Sequence, residues 1–136
     1  MKSPIKCAII GYGYMGKIRR KVLEQNNDVE LSLICEPDRE KLVGEQNFAV
    51  VTDPVQVIQS NAEAVFVCTP NQLIPELTIK CLERGKHVFC EKPPGKTLND
   101  IVQIQASEEK NPGTKLMFGF NLRYHPGVLR AKSIVD

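Results

Sequence analysis

Short runs that are apolar at nearly every position recur along the chain, separated by stretches whose apolar residues return every three or four positions. The runs are Cys7-Ala8-Ile9-Ile10, Val29–Cys35, Ala49-Val50-Val51, Ala64-Val65-Phe66-Val67-Cys68, His87-Val88-Phe89-Cys90 and Lys115-Leu116-Met117-Phe118-Gly119-Phe120. Such continuous runs suit strands covered on both faces, as a parallel sheet requires. Between them the pattern turns helical. Met15, Ile18 and Val22 open a first helix, and Pro37 starts a short one over 37–43. Asp53 and Pro54 cap another to about residue 59. A helix over 73–84 carries the stripe Leu73, Leu77, Cys81, Leu82 and stops at Gly85. Thr97 with Asp100 begins a helix to about 110, and a last one spans 126–135. Strand and helix alternate throughout. The expected fold is α/β: a doubly wound, mainly parallel six-stranded sheet with right-handed crossovers and helices on both faces.

The first run breaks into Gly11-Tyr12-Gly13-Tyr14-Met15-Gly16, which fits GxGxxG between a strand and a helix. Gly11 permits the tight turn, Gly13 lets a pyrophosphate approach bare backbone, and Gly16 lets helix and strand pack closely. The N–H groups opening the helix then face the phosphates. Glu36 falls twenty positions after Gly16, at the end of the second run. There a carboxylate can accept both ribose hydroxyls of an adenosine and repel a 2'-phosphate, which favours NAD over NADP. Arg39 leaves a small opening for NADP, because a nearby arginine can meet that phosphate. Two other readings of the loop fail. A triphosphate-binding GxxxxGK[ST] needs a hydroxyl where Ile18 stands. An S-adenosylmethionine site does not call for Thr69-Pro70-Asn71 or Glu91-Lys92-Pro93, which follow the fourth and fifth runs. All these polar features fall at strand carboxyl ends, the edge at which such sheets bind ligands.

Composition and charge narrow the picture. The 136 residues are 42% hydrophobic and 25% charged, which suits one globular domain. A net charge of +2 gives no field to hold nucleic acid, and Lys17, Arg19, Arg20 and Lys21 read as the solvated side of the first helix. No stretch approaches the roughly twenty apolar residues that cross a bilayer, and no signal-peptide pattern opens the chain. Five cysteines, odd in number and without CxxC spacing, read as reduced core residues rather than disulfides or metal ligands. A cytoplasmic protein with no metal site is expected.

The glycine loop, Thr69-Pro70-Asn71, Gly85-Lys86-His87-Val88-Phe89-Cys90-Glu91-Lys92-Pro93 and Gly119-Phe120-Asn121-Leu122-Arg123-Tyr124-His125-Pro126 together resemble the glucose-fructose oxidoreductase, inositol dehydrogenase and rhizopine-catabolism family, Gfo/Idh/MocA. The resemblance spans nearly the whole chain. It implies an NAD(P)-binding Rossmann domain over 1–120 and a connecting segment and helix over 121–136, leading toward a substrate-binding domain. It also implies hydride transfer at a secondary alcohol or ketone of a sugar, cyclitol or sugar nucleotide. Gly11, Tyr12, Gly13, Tyr14, Met15 and Gly16 would then hold the diphosphate, and Glu36 the adenosine ribose. Thr69, Pro70 and Asn71 would line the nicotinamide side, with Asn121 and Arg123 bordering it. Glu91 would contact the cofactor, while Lys92 reaches the substrate hydroxyl and acts as the catalytic residue. A lysine there can donate to a developing alkoxide.

The chain departs from the family at Ile74, where many members carry histidine, and in length. Neither His87 nor His125 is expected to be a base. Because family enzymes draw most substrate contacts from the second domain, little turnover is expected of these residues alone, and surface left open there favours self-association. The alternative is a stand-alone NAD-binding module that senses or docks without catalysis.

Overall fold

In a computed structural model, which describes residues 3–44 and 47–136, the six expected strands form one sheet. They are β1 (Ile5–Ile10), β2 (Val29–Cys35), β3 (Ala49–Val51), β4 (Ala64–Val67), β5 (His87–Cys90) and β6 (Leu116–Phe118). Their order is β3-β2-β1-β4-β5-β6, and every neighbouring pair is parallel. The order reverses between β1 and β4, which opens a crevice beyond their carboxyl ends. Among the described residues, five helices connect or follow the strands: α1 (Tyr14–Glu24), α2 (Pro54–Gln59), α3 (Ile74–Glu83), α4 (Leu98–Lys110) and α5 (Pro126–Val135).

Helix starts follow the local chemistry read from the sequence. Asp53 accepts the Val55 N–H at α2, and Thr97 and Asp100 form a reciprocal capping box at α4. Lys86 closes the other end of α2, its Nζ donating to the carbonyls of Ser60 and Ala62 at 2.8 Å each. Residues 37–43 do not make an α-helix. They form a four-residue 3₁₀ turn, Arg39–Leu42, because only Leu42 turns inward while Val43 is exposed.

The two sheet faces bury separate cores. On one, Ile10, Val65, Val67 and Val88 meet Val57 of α2 and Ile74, Leu77, Cys81 and Leu82 of α3. On the other, Cys7, Ile9 and Ile34 meet Leu23 of α1, Leu42 and the Tyr12 ring. Two stripes differ from expectation. In α3 the inward line begins at Ile74, and Leu73 is half exposed at the cap. In α1 it runs through Gly16 and Leu23, while Val22 faces solvent.

The basic run on α1 also needs correction. Arg19 lies over the Phe89 ring at 4.5 Å and Arg20 over Phe48 at 5.2 Å, so these two cover aromatic surface instead of facing water. Phe66, Phe89 and Met117 stand side by side across β4, β5 and β6 on this face.

Candidate functional site

The loop after β1 is set by backbone contacts that leave no room for side chains. Gly11 sits at φ +93°, and a Cβ there would lie 2.7 Å from the Cys68 carbonyl oxygen. A Cβ on Gly16 would lie 2.2 Å from the Gly11 carbonyl oxygen. Gly13 differs, since nothing stands within 4 Å of its Cβ position. The glycines therefore divide the work: two hold the turn against its neighbours, and the third keeps a bare face toward open space. Gly11→Ala should cost about 3 kcal/mol of stability, from left-handed strain plus the backbone clash. Urea denaturation checks this; a loss under about 1 kcal/mol would mean the turn relaxes freely.

Gly13 is also the cap of α1, with no side-chain cap and no acid in the first turn. The first backbone bond of the helix runs from Lys17 N–H to the Gly13 carbonyl. The N–H groups of residues 14–16 thus have no partner inside the helix, which makes its start an anion site. Tyr12 contributes backbone only. Its ring is fully buried in the core, and its hydroxyl accepts from Arg20 Nη1 at 2.9 Å.

Glu36 follows β2 and is 6% exposed. Its Oε2 accepts the Tyr12 N–H at 2.8 Å; its Oε1 accepts the Asp38 N–H at 3.1 Å and lies 3.3 Å from Lys41 Nζ. The acid therefore ties the second strand's end to the glycine loop. Each oxygen can accept more than one donor.

A cleft of about 650 Å³ joins these groups, a size suited to a small-molecule site. Gly11, Gly13, Tyr14, Met15, Glu36, Thr69 and Pro70 all line it. Thr69 Oγ1 is buried without a hydrogen-bond partner among the described residues. An orphaned hydroxyl, a bare glycine and free helix N–H groups together fit a dinucleotide with polar and apolar parts. Pro37, Pro54 and Leu73, read from the sequence as helix residues, and Cys68, read as a core residue, also line the cleft, as does Lys41. Apolar periodicity cannot separate a residue facing a cleft from one facing the core. Burial pushes the Cys68 thiol up to about 12, with Glu91 adding to the shift, so it is a neutral wall.

The fifth strand brings Glu91 and Lys92 to the same edge as the glycine loop. β5 is two places from β1, or about 10 Å across the sheet. Lys92 is exposed, and the peptide to Pro93 is cis. Glu91 turns the other way, 4% exposed, and accepts from Arg19 Nε at 2.6 Å. Arg19 Nη2 also donates to Asn121 Oδ1 at 3.3 Å. A Cβ on Gly119 would lie 2.8 Å from Glu91 Oε2, so that glycine makes space for the carboxylate. Asn71, Glu91, Lys92, Asn121 and Arg123 do not line the cleft. Arg123 lies in the 3₁₀ turn Asn121–Tyr124, 5.8 Å over the Tyr124 ring. His87 accepts the Lys115 N–H, and His125 caps α5; neither lines the cleft.

Known proteins share this fold. Residues 5–120 match the Gfo/Idh/MocA family, described as "Oxidoreductase family, NAD-binding Rossmann fold". A myo-inositol 2-dehydrogenase of Thermotoga maritima is 33% identical over 140 residues, spanning 97% of this chain and 41% of that protein. The crystal structure of a myo-inositol 2-dehydrogenase from Lactobacillus plantarum superposes with a TM-score of 0.90 at 29% identity, covering 98% of this chain and 41% of that one. A scyllo-inositol dehydrogenase from Lactobacillus casei, solved with NAD(H) and scyllo-inositol, gives 0.90 at 26%, with coverage of 98% and 41%. The chain thus spans about two-fifths of the length of these relatives. A parallel 3-2-1-4-5-6 sheet, a glycine loop wedged against β4 and a match over 5–120 agree: the chain belongs to the Gfo/Idh/MocA oxidoreductase family and has its NAD-binding Rossmann fold.

Proposed function

We propose that this chain is the cofactor-binding part of an oxidoreductase that moves a hydride to or from a secondary alcohol or ketone of a sugar, cyclitol or sugar nucleotide. In this reading the diphosphate lies on the start of α1, the adenosine ribose at Glu36, and the nicotinamide beside Thr69 and Pro70. The observation that carries it is the bare Gly13 face at the opening of an uncapped helix, in one cleft with a buried acid and an unpaired hydroxyl. NAD, when bound, supplies the hydride acceptor or donor. Lys92 holds its charge near the reacting oxygen, which lowers the pKa of an alcohol and stabilises the alkoxide as the hydride leaves. Glu91, paired with Arg19, positions the backbone that carries Lys92. Residues from Asn121 onward lead toward the part of the relatives that this chain does not cover, to which we assign most substrate contacts. The five free thiols favour a reducing, cytoplasmic compartment. Association of copies through exposed Phe120, Leu122 and Tyr124 belongs to the same reading.

NAD is favoured over NADP because Glu36 repels a 2'-phosphate. Calorimetry on the 136-residue chain should show NAD binding with a dissociation constant of about 10–1000 μM. Gly13→Ala should weaken it by about tenfold or more without lowering the melting temperature. Lys92→Ala should leave it within about twofold while removing most activity in the longer protein. An absence of NAD binding at millimolar concentration would defeat the proposal.

A further inference from the structure

The buried pair Arg19–Glu91 stands beside the cleft wall against which the nicotinamide is placed. Val67 pairs with Cys90 across β4 and β5, so the residues that follow, Cys68 and Glu91, end neighbouring strands about 5 Å apart. Both belong to the α1 face of the sheet: Cys68 packs against the core under that helix, and Glu91 accepts from Arg19 of the helix itself. Cys68 lines the cleft, whereas Glu91 does not and is 4% exposed. Both charges are felt at this wall. Burial is the main cause that raises the Cys68 thiol; Glu91 adds to the rise and Arg19 opposes it. Among the described residues Arg19 is the only partner of the Glu91 carboxylate, at 2.6 Å from Nε, and Lys92 beside it makes no ion pair.

Oxidised NAD and NADH carry the same diphosphate and differ by one positive charge, present on the oxidised nicotinamide ring and absent from the reduced one. A lone carboxylate near that ring favours the oxidised form, and a lone guanidinium the reduced form. Paired, the two nearly cancel. We infer that Arg19 is a specificity-determining residue for the oxidation state of the cofactor, cancelling the Glu91 charge beside the nicotinamide so that NAD and NADH are held with similar affinity. The inference rests on the nucleotide-binding proposal above. An enzyme that takes up one form and releases the other gains from this balance, because a strong hold on the product form slows its release.

Calorimetric titration of the chain with NAD and with NADH reads the ratio of the two dissociation constants. The wild type should hold the two forms within about threefold of each other. Glu91→Gln leaves the guanidinium without its counter-charge and should shift the ratio toward NADH by about tenfold, the effect of one charge across roughly 10 Å at an effective dielectric of about 20. Arg19→Met should shift it about as far toward NAD, and the double variant, with neither charge, should return to the wild-type ratio. Arg19→Lys keeps the charge and should keep the ratio. Lost stability moves both affinities together, and Lys92 acts equally in every variant, so neither changes the ratio. Should Arg19→Met fail to fold, Glu91→Gln and the double variant carry the test. A Glu91→Gln ratio within about twofold of wild type or shifted toward NAD, or a wild type that prefers one form by more than about tenfold, would overturn the role of the pair. Failure of the wild type to bind either dinucleotide would instead remove the nucleotide-binding proposal beneath it.

Discussion

Raising the pH from about 9 to about 11 should unfold the chain cooperatively. The cause is its set of thiols. Burial pushes Cys7, Cys35 and Cys90 up to about 11 and Cys81 up to about 12, from an ordinary value of 9.0. Carboxylates add to the first three: Glu63 near Cys7, Asp53 and Glu36 near Cys35, and Glu91 near Cys90. A raised folded-state pKa contributes stability that is complete below the ordinary value and is lost as pH climbs toward the folded one. Each thiol then withdraws on the order of 2 kcal/mol by pH 11, and several together match the roughly 5–15 kcal/mol that holds a domain folded. Lys86 works in the opposite sense. Burial lowers its pKa, so its charge costs the folded state and that cost fades as the ammonium deprotonates, but one group cannot offset several. Circular dichroism followed with thiolate absorbance would show both signals changing together. Thiolates forming in a chain that stays folded through pH 11 would refute the argument. Replacing Cys81 and Cys90 by alanine should move the midpoint to higher pH, relative to each variant's own stability at pH 8.

Arg19→Met should lower the unfolding free energy by about 3–5 kcal/mol, the usual cost of leaving one member of a buried ion pair alone. The side chains of Arg19 and Glu91 are 15% and 6% exposed, so water cannot readily replace the lost partner. The substitution keeps the aliphatic stem and removes the guanidinium, with its bonds to Glu91 and Asn121 and its place 4.5 Å over the Phe89 ring. Adding Glu91→Gln should restore a large part of the loss, since a neutral amide is cheaper to bury than a charge. Urea unfolding of both singles and the double closes the cycle. A single-variant loss below about 1 kcal/mol would place the pair among ordinary surface contacts.

The same pair marks where reading the sequence reached its limit. The six strand runs, the caps at Asp53 and Thr97, the glycine loop and Glu36 are local signals, each decided within a few residues, and these reappear in the fold. Arg19 is decided by Glu91, 72 positions away, and nothing in the Lys17–Lys21 stretch reveals that its first arginine will pair with that carboxylate. Leu73 and Ile74 show the same limit on a smaller scale: both are apolar, and only the helix's starting angle sends one to the cleft and the other to the core. β6 ends at Phe118 instead of 120 because Gly119 gives its space to Glu91 and the backbone turns at Phe120. Lys41 reaches the cleft from a 3₁₀ turn that the sequence pattern presented as a helix.

One consequence follows from the placement of β4 between β1 and β5. The gauge separating the glycine turn from Lys92 is fixed by two ladders of main-chain hydrogen bonds, independent of any loop. Segments such as 92–96 can therefore lengthen or change composition without detuning that gauge. A scaffold of this kind keeps the spacing between the glycine turn and the end of β5 constant while the loops around them vary.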